Sequence, residues 1–171
     1  MLIGSDIIVL PPLKAQLELE DGADVLAVAA VAKSGKTYTG KCLCGAVSFR
    51  AAGLSDIWYC HCKQCQKLTG HFIAAAGVKR ANLDIAGEVN WLPISEETRS
   101  GHCKTCGCYM FWDSEARSNV SVLMGCLDDT DGLDLKGHIF VQDKADYFEI
   151  SDGLPQYKAY PPGGTRKADE A

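Results

Sequence analysis

From Tyr38 onward the chain alternates short apolar runs with turn residues, at 46–51, 57–61, 72–78, 109–112, 120–124, 137–141 and 147–150. Runs so brief and so frequent predict a mainly β domain. In the first run Val47 and Phe49 alternate with Ser48 and Arg50, giving one buried and one wet face, because successive strand side chains point to opposite sides. Residues 63–69 read as a helical turn, with Gly70 placed to end it.

The two ends of the chain carry a different pattern. Residues 1–37 hold no cysteine and set an acidic stretch, Glu18 to Asp24, before a small apolar run. They read as an N-terminal extension, or as an extra strand or helix packed on the domain. Residues 161–171 bring Pro, Gly and charge with nothing to bury and read as a disordered tail. One domain, 38–160, lies between them. Ser34-Gly-Lys-Thr37 has the end of a phosphate loop but Ala30 where its first glycine belongs, which argues against nucleotide binding.

Composition narrows the classes further. With 171 residues, 47% of them hydrophobic, one domain can bury a sizeable core. The longest apolar run, Val25 to Ala32, is far short of the ~20 residues of a membrane span, so no membrane partner is expected. The formal charge is −5, and ionised thiols with bound zinc take it further negative. Nucleic acid is an unsuitable partner, since phosphate contacts need a basic surface.

Cysteine changes the picture most. Seven of the nine fall in three tight clusters: Cys42-Leu-Cys44-Gly, Cys60-His-Cys62-Lys-Gln-Cys65 and Cys103-Lys-Thr-Cys106-Gly. Two cysteines at such spacing can aim both sulfurs at one point about 2.3 Å away, and Zn²⁺ asks for four such donors in a tetrahedron. Disulfides at this spacing are strained, and they are uncommon in reducing compartments. Met1-Leu-Ile-Gly-Ser-Asp6 has no basic region before the apolar stretch, so the expectation is a reduced, cytoplasmic protein with metal-bound thiols.

Cys42 and Cys44 face one way in an extended segment, and Cys103 with Cys106 and Gly107 has the spacing of a zinc knuckle. Together they make a closed, structural four-cysteine site. Cys60, Cys62 and Cys65 supply three donors and leave one tetrahedral position, the pattern of a catalytic zinc. A soft, thiolate-ligated ion favours a fourth sulfur, which makes a thiol the natural substrate. A rival count remains, because Cys108 brings the clustered total to eight and could close two structural sites. Cys126 stands alone and reads as a small buried side chain.

Several ordered motifs carry a family resemblance: Gly40-Lys-Cys-Leu-Cys-Gly-Ala-Val-Ser-Phe49, Tyr59-Cys-His-Cys-Lys-Gln-Cys-Gln-Lys-Leu-Thr-Gly70, His102-Cys-Lys-Thr-Cys-Gly107, Gly125-Cys-Leu-Asp-Asp129, His138-Ile-Phe140 and Asp152-Gly-Leu-Pro155. From about Tyr38 to Tyr160 the chain resembles the glutathione-dependent formaldehyde-activating enzymes, a family that includes centromere protein V. The resemblance implies a tent-like fold of antiparallel sheets organised around zinc. It also implies two zinc sites, a structural one on Cys42, Cys44, Cys103 and Cys106 and a second on Cys60, Cys62 and Cys65. The chain departs from the pattern at Cys108, where a small hydroxyl residue is more usual, and at Cys126, where serine is common.

The activity so implied is a carbon-sulfur lyase reaction joining or releasing glutathione and formaldehyde. The alternative is a non-catalytic zinc module that binds glutathione or a protein partner. Gln66, Lys67, Thr69, Gly70, His71 and Phe72 follow the second cluster directly and are candidate substrate contacts, Lys67 for a carboxylate; the alternative is a solvated turn. His61 reads as structural, or as a proton shuttle. Arg99 reads as a surface charge or a carboxylate contact, and Asp128-Asp129 as an exposed turn or a partner for His138.

Overall fold

The computed structural model describes residues 35–162. The expected extension lies outside the described residues except for Gly35, Lys36 and Thr37, and the expected tail except for Pro161 and Pro162. The described chain is mainly β. Its strands are β1 (Thr37–Lys41), β2 (Ser48–Ala52), β3 (Ile57–Cys60), β4 (Ile73–Lys79), β5 (Leu83–Ala86), β6 (Val89–Pro93), β7 (Thr98–Cys103), β8 (Tyr109–Ser114), β9 (Asn119–Leu123) and β10 (Leu135–Ile139). The single α-helix among the described residues, α1 (Lys63–Thr69), follows β3, and Gly70 ends it in the left-handed conformation. No helix among them is long and apolar enough to cross a membrane.

The strands form a three-stranded sheet, β1-β2-β5, and a seven-stranded sheet, β10-β3-β4-β9-β8-β7-β6. Every pairing is antiparallel but one: β10 lies parallel to β3, which the long stretch of chain between them allows. The larger sheet is therefore mixed rather than wholly antiparallel. Val47 and Phe49 are buried while Ser48 and Arg50 are exposed, as the alternation requires. Phe49 meets Phe111 edge-on with ring centroids 5.4 Å apart, and Val78, Met110, Val120 and Val122 fill the core around them. Rings in this arrangement add about 1 kcal/mol to the burial of their area.

Four strands, β1, β5, β6 and β7, are not among the runs read from the sequence: β5 and β6 alternate only briefly, as Leu83-Asp84-Ile85 and Val89-Asn90-Trp91, and β7 has no apolar period. In β7 the buried positions are Ser100, Gly101 and Cys103, so the strand is held by its ladder and by close approach rather than by large side chains. A Cβ on Gly101 would lie 2.8 Å from the Trp91 ring, which fills the space instead. Residues 147–150, expected as a strand, are not one. Their apolar rings serve a different contact: Tyr147 stacks on His71, and Phe148 packs against Phe72 and His61.

Asp113, 1% exposed, is clamped by two arginines on the flank of the larger sheet. Arg80 donates to both carboxylate oxygens at 2.9 and 2.6 Å, and Arg99 donates twice at 2.9 and 2.8 Å while lying over the Trp91 ring. Arg99 is thus taken up by a carboxylate of its own chain. Burial works against the Asp113 charge, but the two guanidiniums outweigh it and hold the group below the ordinary carboxylate range. Asp113→Asn leaves two guanidiniums facing a neutral amide and should cost about 3 kcal/mol in urea denaturation. A depressed carboxylate stabilises fully above its unfolded pKa, so this difference should persist above about pH 4 and shrink as pH falls below it.

Candidate functional site

Two thiol clusters form at the ends of strands. Cys42 and Cys44 occupy the turn after β1, while Cys103 ends β7 and Cys106 lies in the turn that follows it. Each turn closes on a glycine at positive φ, Gly45 at 79° and Gly107 at 72°, a conformation that other residues adopt at a cost. The turns are tied internally, Gly45 N–H to the Cys42 carbonyl at 3.1 Å and Gly107 N–H to the Cys103 carbonyl at 2.9 Å. Their four sulfurs all lie within 4.8 Å of one another, with Cys42 to Cys44 at 3.5 Å and Cys44 to Cys103 at 3.8 Å. A tetrahedral zinc at 2.3 Å from each sulfur sets them about 3.8 Å apart, so the donor set fits the ion.

The second cluster grows from β3 into α1. Cys60 ends the strand, Cys62 caps the helix by accepting from the Cys65 N–H at 3.4 Å, and Cys65 is buried in the first turn. Their sulfurs too lie within 4.8 Å of one another. The Cys60 thiol, then the Cys65 thiol, hold Cys62 down to about 2 against the effect of burial. The contact with Cys62 pushes Cys60 up to about 12 although Cys65 works the other way, and Cys60 with Cys62 pushes Cys65 far above its ordinary value. Three such thiols sustain one negative charge by themselves, and full ionisation asks for a cation. Each cluster can hold a metal ion.

Cys108 does not join the second cluster. Its sulfur faces Cys126 at 3.8 Å, and Cys126 in turn donates to the Tyr109 carbonyl at 3.5 Å. Cys126 is buried, as expected of a small core side chain. One polar atom near the three thiols stands out: the Tyr109 hydroxyl is buried without a hydrogen-bond partner among the described residues. Burial, then the thiolates of Cys65, Cys62 and Cys60, push it above the ordinary phenol range, so it keeps its proton and can donate.

A cavity of about 370 Å³ opens beside this cluster, with Cys60, Cys62 and Cys65 in its wall. Trp58, Trp112, Phe140 and Tyr160 give it aromatic sides, and Gln64 accepts from the Trp112 indole N–H at 3.0 Å. Arg117 is the cation of the wall; it donates to the Tyr160 hydroxyl at 2.8 Å and makes no ion pair among the described residues. The segment after β10 delivers Tyr160. It runs beside the strand through His138 N–H to Pro155 O and Tyr157 N–H to His138 O, both 2.8 Å, and Phe140 N–H to Ala159 O at 3.1 Å. Gly137 permits this approach, since its φ is 146° and a Cβ there would sit 2.3 Å from the Pro155 oxygen.

None of Gln66, Lys67, Thr69, Gly70, His71 and Phe72 forms a wall of this cavity. The turn of α1 that aims Gln64 and Cys65 into it sends its later residues elsewhere. Gln66 donates to the His61 and Asp143 carbonyls at 2.5 and 2.7 Å, and the Thr69 hydroxyl donates to the Cys65 carbonyl at 2.9 Å. Lys67 is exposed, Gly70 caps the helix, and His71 bonds Tyr147. Gln66, His71 and Phe72 pack around His61 and Phe148 with no room left between them. Trp58, Trp112, Arg117 and Tyr160 were not singled out from the sequence, although tryptophan and arginine among small and polar residues were the available signal.

With this geometry in view, the comparisons with known proteins decide the family. The family model described as glutathione-dependent formaldehyde-activating enzyme matches residues 37–143, more than half of the chain. The chain belongs to this family. No curated protein matches it. A solved structure of a protein from Rhodobacter sphaeroides aligns at 19% identity, covering 57% of this chain and 98% of that one with a TM-score of 0.47. The family match ends before Tyr160, so one aromatic wall of the cavity lies beyond it.

In this family member a hydrogen-bond chain, buried at His61 and His138 and ending on the exposed Asp152, backs the three-thiol cluster. Asp152 accepts from His138 Nε2–H at 2.8 Å, which leaves His138 Nδ1 to accept from His61 Nε2–H at 2.8 Å. Asp152, rather than Asp128 or Asp129, is therefore the partner of His138; Asp128 takes the Thr39 hydroxyl and Asp129 takes Lys36. Burial, reinforced by His138 alongside, pushes the His61 imidazole down to about 4. The Leu154 amide, then His138, hold Asp152 below the ordinary carboxylate range. His138→Phe strands the buried His61 N–H and should cost about 1–3 kcal/mol in urea denaturation, with the thiol clusters still formed by metal content.

Proposed function

We propose that this chain joins or releases a small thiol, with glutathione the leading candidate, and an aldehyde such as formaldehyde, a reaction of the carbon-sulfur lyase class. The supporting observation is three converging thiols in the wall of a 370 Å³ cavity, while the one rival donor, Cys108, turns to Cys126. In this reading both clusters would hold zinc: on Cys42, Cys44, Cys103 and Cys106 it would be structural, and on Cys60, Cys62 and Cys65 it would let a thiol substrate be held as thiolate. The free cysteines agree with a reducing, cytoplasmic setting.

The side chains of the cavity then divide the work. Arg117 offers a guanidinium to a substrate carboxylate, and the aromatic walls exclude water around the reacting pair. As the sulfur–carbon bond forms, the carbonyl electrons move to oxygen. The Tyr109 hydroxyl, beside the three thiols rather than in the cavity wall, keeps its proton and has no hydrogen-bond partner among the described residues, which makes it the candidate donor to that oxygen. Apart from Tyr109, substrate contacts belong to the cavity walls in this reading, and Gln66, His71 and Phe72 pack around His61 behind the cluster.

Metal analysis paired with calorimetric titration of glutathione tests the assignment. Wild type should carry two zinc ions, one for each cluster, and bind glutathione; Cys62→Ser should lose the binding heat with the fold retained. Cys44→Ser should lose stability before binding. No heat in wild type, or unchanged heat in Cys62→Ser, leaves the non-catalytic zinc module standing instead. Arg117→Gln should weaken glutathione about tenfold, the loss of one charge-assisted contact, at unchanged zinc content.

A further inference from the structure

Cys108 and Cys126 belong to neither metal cluster, yet they face each other. Their sulfurs are 3.8 Å apart, and the strands β8 and β9 separate them in the chain. Cys108 lies at the entry to β8 and is half-buried, so one side of it is open to a small reagent; Cys126, 6% exposed, sits behind it in the turn Met124–Cys126. Such an arrangement places one thiol to react first and a second within reach to resolve the product.

We propose that Cys108 and Cys126 form a reversible disulfide by exchange with a low-molecular-weight disulfide such as oxidised glutathione. The Cys108 sulfur attacks one sulfur of the reagent, breaking its S–S bond, forming a mixed disulfide and releasing one thiol. The Cys126 sulfur then attacks the Cys108 sulfur and displaces the second thiol. The two protein thiols lose two electrons and two protons, and the reagent ends as two reduced thiols. The sulfurs must close from 3.8 Å to about 2.05 Å for the bond to form.

The bond would clamp both halves of the four-thiol cluster. On one side the Cys108 carbonyl accepts from the Cys103 N–H at 2.9 Å, inside the metal-binding turn. On the other, Leu127, next to Cys126, bridges to Gly40, two residues before Cys42. Oxidation thus ties the two metal-binding turns together from behind, without using a cluster sulfur. This inference stands apart from the lyase reading.

The zinc-loaded protein is equilibrated with graded mixtures of oxidised and reduced glutathione, quenched with an alkylating reagent, and read by intact mass and peptide mapping. Expected is the loss of two hydrogens, a single linked pair of peptides holding Cys108 and Cys126, and unchanged zinc content. Cys126→Ser should accumulate a glutathionyl adduct at Cys108, and Cys108→Ser should leave Cys126 unreacted. A lasting adduct at Cys108 in wild type, no reaction in wild type, or a linkage through a cluster cysteine would each overturn the proposal.

Discussion

Like charges brought together resist it, and the fold of this chain gathers thiols on that condition. The sulfurs of Cys44 and Cys103 are 3.8 Å apart, although 59 positions separate the residues along the chain. One comes from the turn after β1 in the small sheet, the other from the end of β7 in the large one. Phe49 and Phe111 hold the same two sheets in the core, so an apolar contact and a cation site act across one junction. The apolar contact persists at any ionisation state. The thiol contact is comfortable when the sulfurs are protonated or when a cation stands among them.

The second cluster obeys the same electrostatics but has a different neighbourhood. Its donors sit at the end of β3, a strand flanked by the parallel β10 and the antiparallel β4, and continue into the helix that Cys62 caps. Behind it lies the hydrogen-bonded pair of His61 and His138, anchored on Asp152. In front lies the cavity. A rigid, satisfied back and an open front distinguish this cluster from the four-thiol one, and the functional reading follows from that asymmetry.

Much of this was legible from spacing alone. The two donor sets, the mainly β architecture, the short helix with its Gly70 cap and the buried Cys126 all follow from rules that act over a few residues. The misses share a cause. Strands such as β7 are stabilised by ladders and by a tryptophan lying over a bare Gly101, which leaves no apolar period to read. Residues 147–150 look like a strand because rings that pack on His71 and Phe72 have the same composition as rings in a sheet. The cavity was missed because its walls come from β3, β8, the turn after β8 and the far end of the chain. Residues adjacent to the ligands in sequence were the natural guess, yet one helical turn aims most of them away.

The route of the last described segment has a further consequence. Phe140 takes a left-handed backbone conformation at a φ of 59°, and from there the chain returns beside β10 to set Tyr160 against Arg117. Part of the wall that limits the room in the cavity is therefore encoded far downstream of the thiols that could hold a metal ion. Remodelling that returning stretch would retune selectivity while leaving the sulfur scaffold intact, so relatives sharing the same ligand spacing are free to diverge in what they admit.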